Sequence, residues 1–209
     1  MNPLIHGELS WLTSQKLDER RDRLLVTLAG ISPDIDGLTL LGGEEMYGKW
    51  HHVLTHGALS AVILSGIFTL FARRKALVFV LCFLAFHLHL LCDLAGSGPG
   101  WPIYYLWPFS RAELMWSGQW NLASWQNSVI GLAITLTALW FAMPLGRTVF
   151  ELFSAKYDAV VVTTLRKRFQ KGEFDAKKRL RVSVALLVAV LLLVVIISMI
   201  PSPSGRGAG

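Results

Sequence analysis

The chain has 209 residues, 53% of them apolar and only 16% charged, with a formal net charge of +6 at neutral pH. With a mean hydropathy of +0.49, this composition excludes an ordinary soluble domain and a disordered chain, and points to an all-α, polytopic membrane protein. Half of the Lys and Arg residues lie in one late stretch, which reads as an orientation signal, and no nucleic-acid partner is expected.

The first segment, MNPLIHGELSWL, lacks a basic start and a continuous apolar core, so no cleavable signal peptide is visible. It carries His6, with Glu8 nearby. The helix-like run RLLVTLAGI follows, and then SPDIDG, Ser32 to Gly37. Pro33 and Gly37 bracket a turn that presents Asp34 and Asp36 on a short backbone.

Two apolar helices are expected at 53–72 and 76–94, separated only by Arg73, Arg74 and Lys75. So short a connection makes them an antiparallel hairpin. The first is introduced by WHHVLTHG. His52 and His56 lie four apart and share a face if this segment is helical; His51, in a loop ahead of a helix that starts near Val53, is free to turn inward. Which of His51 and His52 faces the site stays open. The second helix ends in HLHLLCD, where His89 and Asp93 are also four apart, on one face of an otherwise apolar helix. An ionisable pair inside a membrane segment costs a few kcal/mol according to depth. A bound cation offsets that cost; so does a histidine hydrogen-bonded to its own aspartate. Cys82 and Cys92 sit about 15 Å apart along the same helix, too far for a disulfide between them.

His56 and His89 are about equally far from the Arg73 turn, so on antiparallel helices they lie at the same depth. With SPDIDG and His6 this gathers nitrogen and carboxylate donors that suit Zn²⁺, with Mn²⁺, Fe²⁺ or Ni²⁺ as further options. All six histidines fall within the first 89 residues.

Residues 101–125 hold Trp101, Tyr104, Tyr105, Trp107, Trp116, Trp120 and Trp125, a concentration suited to the membrane–water boundary. Arg111 in this loop suits an exposed interfacial anchor or, as the less common alternative, a group that steadies an anion. A third apolar helix is expected at 128–144. Residues 146–182 carry ten Lys/Arg against four Asp/Glu, and 182–200 is an uncharged run closed by Pro201. The reading is a bundle of about four transmembrane helices, plus N-terminal helices carrying part of a metal site. Its parts are a membrane domain over 1–145, a basic cytoplasmic segment over 146–181, a C-terminal transmembrane helix over 182–200 and a disordered tail over 201–209. With both basic loops cytoplasmic, residues 1–52 and the metal site fall on the outer, non-cytoplasmic face of the cell membrane.

The series His6, PDID (Pro33–Asp36), H-x3-TH (His51, Thr55, His56), HLLCD (His89–Asp93) and a Gly-rich loop ending WPF (Trp107–Phe109) resembles the YdjM-like family of membrane-bound, metal-dependent hydrolases. The resemblance covers roughly residues 1–145. It implies distant similarity to zinc-dependent phospholipase C, and a ligand set of Asp34 or Asp36, His51 or His56, His89 and Asp93, with His6 beside a further metal. Because no histidine follows His89, the ligand count suits one metal, or two sharing Asp93. The expected activity is hydrolysis of a phosphoester at the membrane surface, with zinc as cofactor, membrane lipids as partners, and Asp34 or Asp36 taking a proton from water. The competing expectation is a non-catalytic membrane protein whose metal or His–Asp network fixes helix packing.

Overall fold

The structure, a computed structural model, describes residues 2–169 together with Val188 and Leu192. Apart from those two positions, the expected helix at 182–200 and the tail at 201–209 lie outside the described residues. Among the described residues all regular structure is helical: α1 (Pro3–Thr13), α2 (Arg20–Ile31), α3 (Glu44–Trp50), α4 (Ala58–Leu70), α5 (Lys75–Gly96), α6 (Trp125–Leu145) and α7 (Ala155–Phe169), with 3-10 segments at Ser14–Lys16, Ser32–Gly42 and Val149–Leu152.

Local chemistry sets the boundaries. The Asn2 side chain accepts from Leu4 N at 2.9 Å and Pro3 occupies the first turn, so α1 begins with an orphan donor satisfied and a residue that has none to satisfy. α2 gives way to a 3-10 segment at Pro33, whose missing N–H cannot continue the α-helical ladder. Gly43, at φ +100°, stops that segment in a conformation that suits glycine.

α5 is the axis of the bundle. Val78, Leu81, Cys82 and Ala85 pack on Leu25, Val26 and Ala29 of α2, and Phe86 and Leu90 pack on Ala61 of α4 and on Ile103. Ile5, Leu9 and Leu12 of α1 close against Ile130 and Ile134 of α6. Small residues at these crossings let backbones approach, the usual means of helix association in lipid. Gly30 is the extreme case: a Cβ there would stand 1.8 Å from Ser10 Oγ and 3.3 Å from Ala85 Cβ. Outward from this core, Val62, Ile63 and Ile67 on α4 and Leu132, Leu136 and Leu139 on α6 remain exposed, an apolar girdle suited to lipid.

Three helical stretches among the described residues are long and apolar enough to cross a membrane: Arg20–Gly42, Lys75–Gly96 and Trp125–Leu145. The last two coincide with expected spans. The expected helix at 53–72 is shortened to the 13 residues of α4, about 20 Å of axis, less than a hydrocarbon core of about 30 Å. The first stretch was not expected as a span. Asp22 accepts from the backbone N–H groups of Arg73 (3.0 Å) and Arg74 (3.2 Å), satisfying donors at the start of α5 with a carboxylate from α2. The α1–α2 connection therefore lies at the end of the bundle where α4 turns into α5. Residues 1–52 do not form a layer beyond the outer ends of the hairpin: α1 descends beside α5 and α2 returns.

The same end holds a buried charge network. Arg23 donates to Glu151 through Nε at 2.7 Å and through a second guanidinium nitrogen, and to the carbonyls of Leu17 and Asp18 at 2.8 Å each. Trp11 Nε1 donates to Glu151 at 2.8 Å. The beginning of the 146–181 segment is thereby folded back onto the N-terminal helices.

Candidate metal centre

At the opposite end, α2 delivers Gly30 and then the 3-10 turn with Asp34 and Asp36; α1 delivers His6; the connection from α3 to α4 delivers His51, His52 and His56; and the last turns of α5 deliver His89 and Asp93. The seven expected residues His6, Asp34, Asp36, His51, His56, His89 and Asp93 meet in one connected cluster.

Asp93 lies at its centre. His89 Nε2 approaches Asp93 Oδ2 at 2.9 Å and His56 Nε2 approaches the same oxygen at 3.6 Å, while His6 Nε2 lies 3.3 Å from Oδ1. Asp34 Oδ1 stands 3.5 Å from His89 Nε2. One donor atom each from Asp34, His56, His89 and Asp93 lie within 4.8 Å of one another, close enough to hold one metal ion. His6 stacks on His89 with ring centroids 3.7 Å apart.

The rear faces of these rings are tethered. His89 Nδ1 donates to the Gly30 carbonyl at 2.8 Å, which leaves Nε2 its lone pair and aims it inward. His56 Nδ1 donates to Asp36 Oδ2 at 2.9 Å, the carboxylate–histidine arrangement that orients metal ligands and raises their basicity. Asp36 also takes His51 Nδ1 at 2.7 Å and the Thr55 backbone N–H at 3.3 Å. A second possible donor set, Asp36, His51 and His56, shares the His56 ring. The front set is the stronger candidate, because its atoms converge without well-aligned hydrogen bonds: the Nε2 atoms of His6, His56 and His89 face Asp93 as ion-pair contacts that lack hydrogen-bond geometry, and Asp34 Oδ2 is buried with no hydrogen bond. Leaving such atoms unsatisfied costs about 1–3 kcal/mol each. A cation among them removes that cost, and its charge offsets three carboxylates that are each paired with histidines. The residues present fit a divalent metal.

Electrostatics of the surrounding histidines agree. Burial holds His6 below its ordinary pKa and pushes His52 down to about 3, so both rings are neutral and carry available lone pairs. Burial opposes a charged His56, yet hydrogen bonds to Asp36 and Asp93 outweigh it and hold its pKa above the ordinary value. Positive charge is favoured here, as a proton or as a metal cation.

The connection at 51–57 is not helical, which corrects the shared-face argument for His52 and His56. His52 has φ +66°, the left-handed region that costs a non-glycine residue about 1–3 kcal/mol and is found where surrounding structure enforces it. The kink separates the neighbouring histidines: His51 turns to Asp36, while His52 Nε2 lies 3.9 Å from Asp93 Oδ2. His87 is outside the cluster; its Nδ1 donates to the Phe83 carbonyl and its Nε2 accepts from the Tyr105 hydroxyl.

A cavity of about 580 Å³ opens onto the cluster and is lined by Asp34, Tyr47, His51, His52, Asp93 and Trp101 among others. Tyr47 stacks on His51 at 4.5 Å and meets Trp101 edge-on. Burial, with the charge of Asp34, raises the Tyr47 phenol pKa, so it stays protonated as a hydrogen-bond donor at the cavity wall. Sequence reasoning missed Tyr47, although it lies four residues before His51, and missed the Gly30 carbonyl, which has no residue-type signature. Arg111 does not line this cavity; it lines a separate depression with Lys49, Trp50 and Trp107.

Comparison with curated proteins and with solved structures gives no match. A family model described as YdjM inner membrane protein matches residues 7–202, nearly the whole chain, and the chain belongs to that family.

Proposed function

We propose that this YdjM-family membrane protein is a metal-dependent hydrolase acting on a phosphoester at the membrane surface. The observation that carries the reading is the inward-facing set of Asp34, His56 Nε2, His89 Nε2 and Asp93, whose histidines are tethered from behind and whose two aspartates line an open cavity. A structural metal site is closed by its protein ligands, whereas a catalytic one keeps a face open to water and substrate.

Asp34, His56, His89 and Asp93 would hold the metal, with His6 against the far oxygen of Asp93. A divalent cation there, zinc by the mixed nitrogen and oxygen donors, supplies Lewis acidity and a lowered pKa for nearby water. The chain does the rest. Asp36 has no oxygen to spare: it orients His51 and His56, and is a positioning residue. Of the two aspartates expected to take the water's proton, Asp34 is therefore the base, because its Oδ2 lacks a hydrogen bond and its side chain lines the cavity. Tyr47, protonated on the cavity wall, steadies the leaving oxygen. The aromatic 101–125 loop sets the cavity at headgroup depth, where a lipid phosphoester arrives laterally.

The side of the membrane follows from charge. Arg20, Arg23, Arg73, Arg74 and Arg147 gather at the end opposite the cluster, through bonds to Glu151, Asp22, Glu19, Asp18 and Gln15. By the positive-inside rule that end is cytoplasmic and the cavity faces outward.

The test uses full-length protein in detergent, stripped with chelator and reloaded with zinc. Hydrolysis of bis-p-nitrophenyl phosphate and of a short-chain phospholipid should require the metal and fall to background in Asp34→Asn. Retention of one tightly held metal with no turnover of either substrate would favour a purely structural site.

A further inference from the structure

The cavity does not end at His51. A depression of about 540 Å³ shares His51 and Trp101 with it and is further lined by Lys49, Tyr104 and Glu113. Through Lys49, Val53, Tyr104 and Glu113 this continues into another of about 440 Å³, walled by Trp50, Trp107 and Arg111. The three depressions adjoin one another through these shared walls, forming a groove that links the His/Asp cluster to Lys49 and Arg111 by neighbouring residues.

We propose that this groove binds a second phosphoryl group on the headgroup of the same lipid, so that the substrate class is an amphiphile with two phosphoryl groups joined by a short polar linker. The proposal rests on the phosphoester reading for the position of the first phosphoryl group.

Three observations support it. Charge comes first. Lys49 and Arg111 are exposed and form no ion pair among the described residues, while Glu113, the one carboxylate lining the two outer depressions, is engaged by the Tyr104 hydroxyl at 3.1 Å. Two cations with their donors uncommitted, one of them a guanidinium, match a phosphoryl group. Rigidity is the second. The groove wall is bonded to the cluster itself, since Tyr104 N donates to the His52 carbonyl at 3.2 Å, and Ile103 and Leu114 exchange backbone bonds at 3.0 and 2.9 Å. Ligand binding then orders little that is not already ordered. The third is surface chemistry. Lys49 Nζ lies 5.4 Å from the Trp50 ring centre, and Trp50, Trp101 and Trp107 along the groove suit a headgroup layer rather than bulk water.

The experiment reads lipid retention, so it does not depend on turnover. Full-length protein in phosphatidylcholine nanodiscs is doped at equal total phosphate with cardiolipin, which has two phosphates on a glycerol, or with phosphatidylglycerol, which has one. Bound lipid is counted by native mass spectrometry after release. Wild type should retain the two-phosphate lipid about tenfold better, the worth of one additional charge-assisted contact. Lys49→Ala/Arg111→Ala, both on the surface and unconnected to the core, should bring that ratio near unity. His89→Ala should lower retention of both lipids and keep the ratio. An unchanged ratio in the double variant overturns the proposal, and so does a parallel loss of both lipids, which marks unspecific surface attraction. A normal ratio in a protein that hydrolyses nothing supports the groove and counts against the hydrolase reading alone.

Discussion

The two ends of this bundle bury charge in opposite ways. At the end with the α4–α5 turn, Arg23 is matched donor for acceptor by Glu151 and by the Leu17 and Asp18 carbonyls, and Glu151 takes a further bond from Trp11. At the other end, three histidine nitrogens crowd around the Asp93 carboxylate without well-formed hydrogen bonds, and an oxygen of Asp34 is buried with none. Burial of charge is common to both, so burial does not mark the functional site. Incompleteness does: a closed network holds helices together, and an open one is shaped for something that comes from outside.

The contrast breaks most sharply through the central ligands. His89→Ala or Asp93→Ala should reduce bound metal from near stoichiometric to a small residue, measured by elemental analysis of purified protein; unchanged content in both variants would remove the basis for distinguishing the two ends. The closed end should respond in stability instead. Glu151→Ala strands a buried guanidinium and should cost about 3–5 kcal/mol, read from denaturant unfolding in detergent, while the folded fraction still binds metal at wild-type stoichiometry. If that variant also lost its metal, the ends would be one coupled unit.

A finer probe is Asp36→Asn, which keeps the shape behind His51 and His56 but weakens their orientation. Metal affinity should fall about 10–100-fold, the usual effect of an outer partner, as read by competition with a chromogenic chelator; a complete loss would make Asp36 a direct ligand. The smallest effect belongs to Arg73→Ala. Its ion pair with Glu19 is exposed and should be worth about 0–1 kcal/mol, with no change in metal content.

What the sequence disclosed and what it hid follow the range of the interactions. His89 and Asp93 were legible because a helical period places them on one face, and their meeting with His56 followed from counting residues back to Arg73. The irregular 51–57 connection was not legible. WHHVL continues the apolar run of α4, and the segment leaves the helix because Thr55 bonds to Asp36 and Pro33, residues about twenty positions earlier. The N-terminal pair was hidden for the same reason. RRDR reads as a solvated start, and only the Asp22 bonds to Arg73 and Arg74, 51 and 52 residues away, reveal that it runs the depth of the bundle. Separating Asp34 from Asp36 needed the geometry too, since two aspartates on one turn differ only in what they face.

The Arg23–Glu151 pair sets a timetable for synthesis. The two residues are 128 positions apart, and at about 5–20 residues per second the ribosome needs on the order of ten seconds to deliver the second after the first. During that interval Arg23 lacks the Glu151 carboxylate that matches it in the finished fold, so α2 has reason to stay out of the hydrocarbon until α6 is complete. The N-terminal hairpin, although made first, would then be the last part to settle, and the cluster that it helps to build would form only as biogenesis ends.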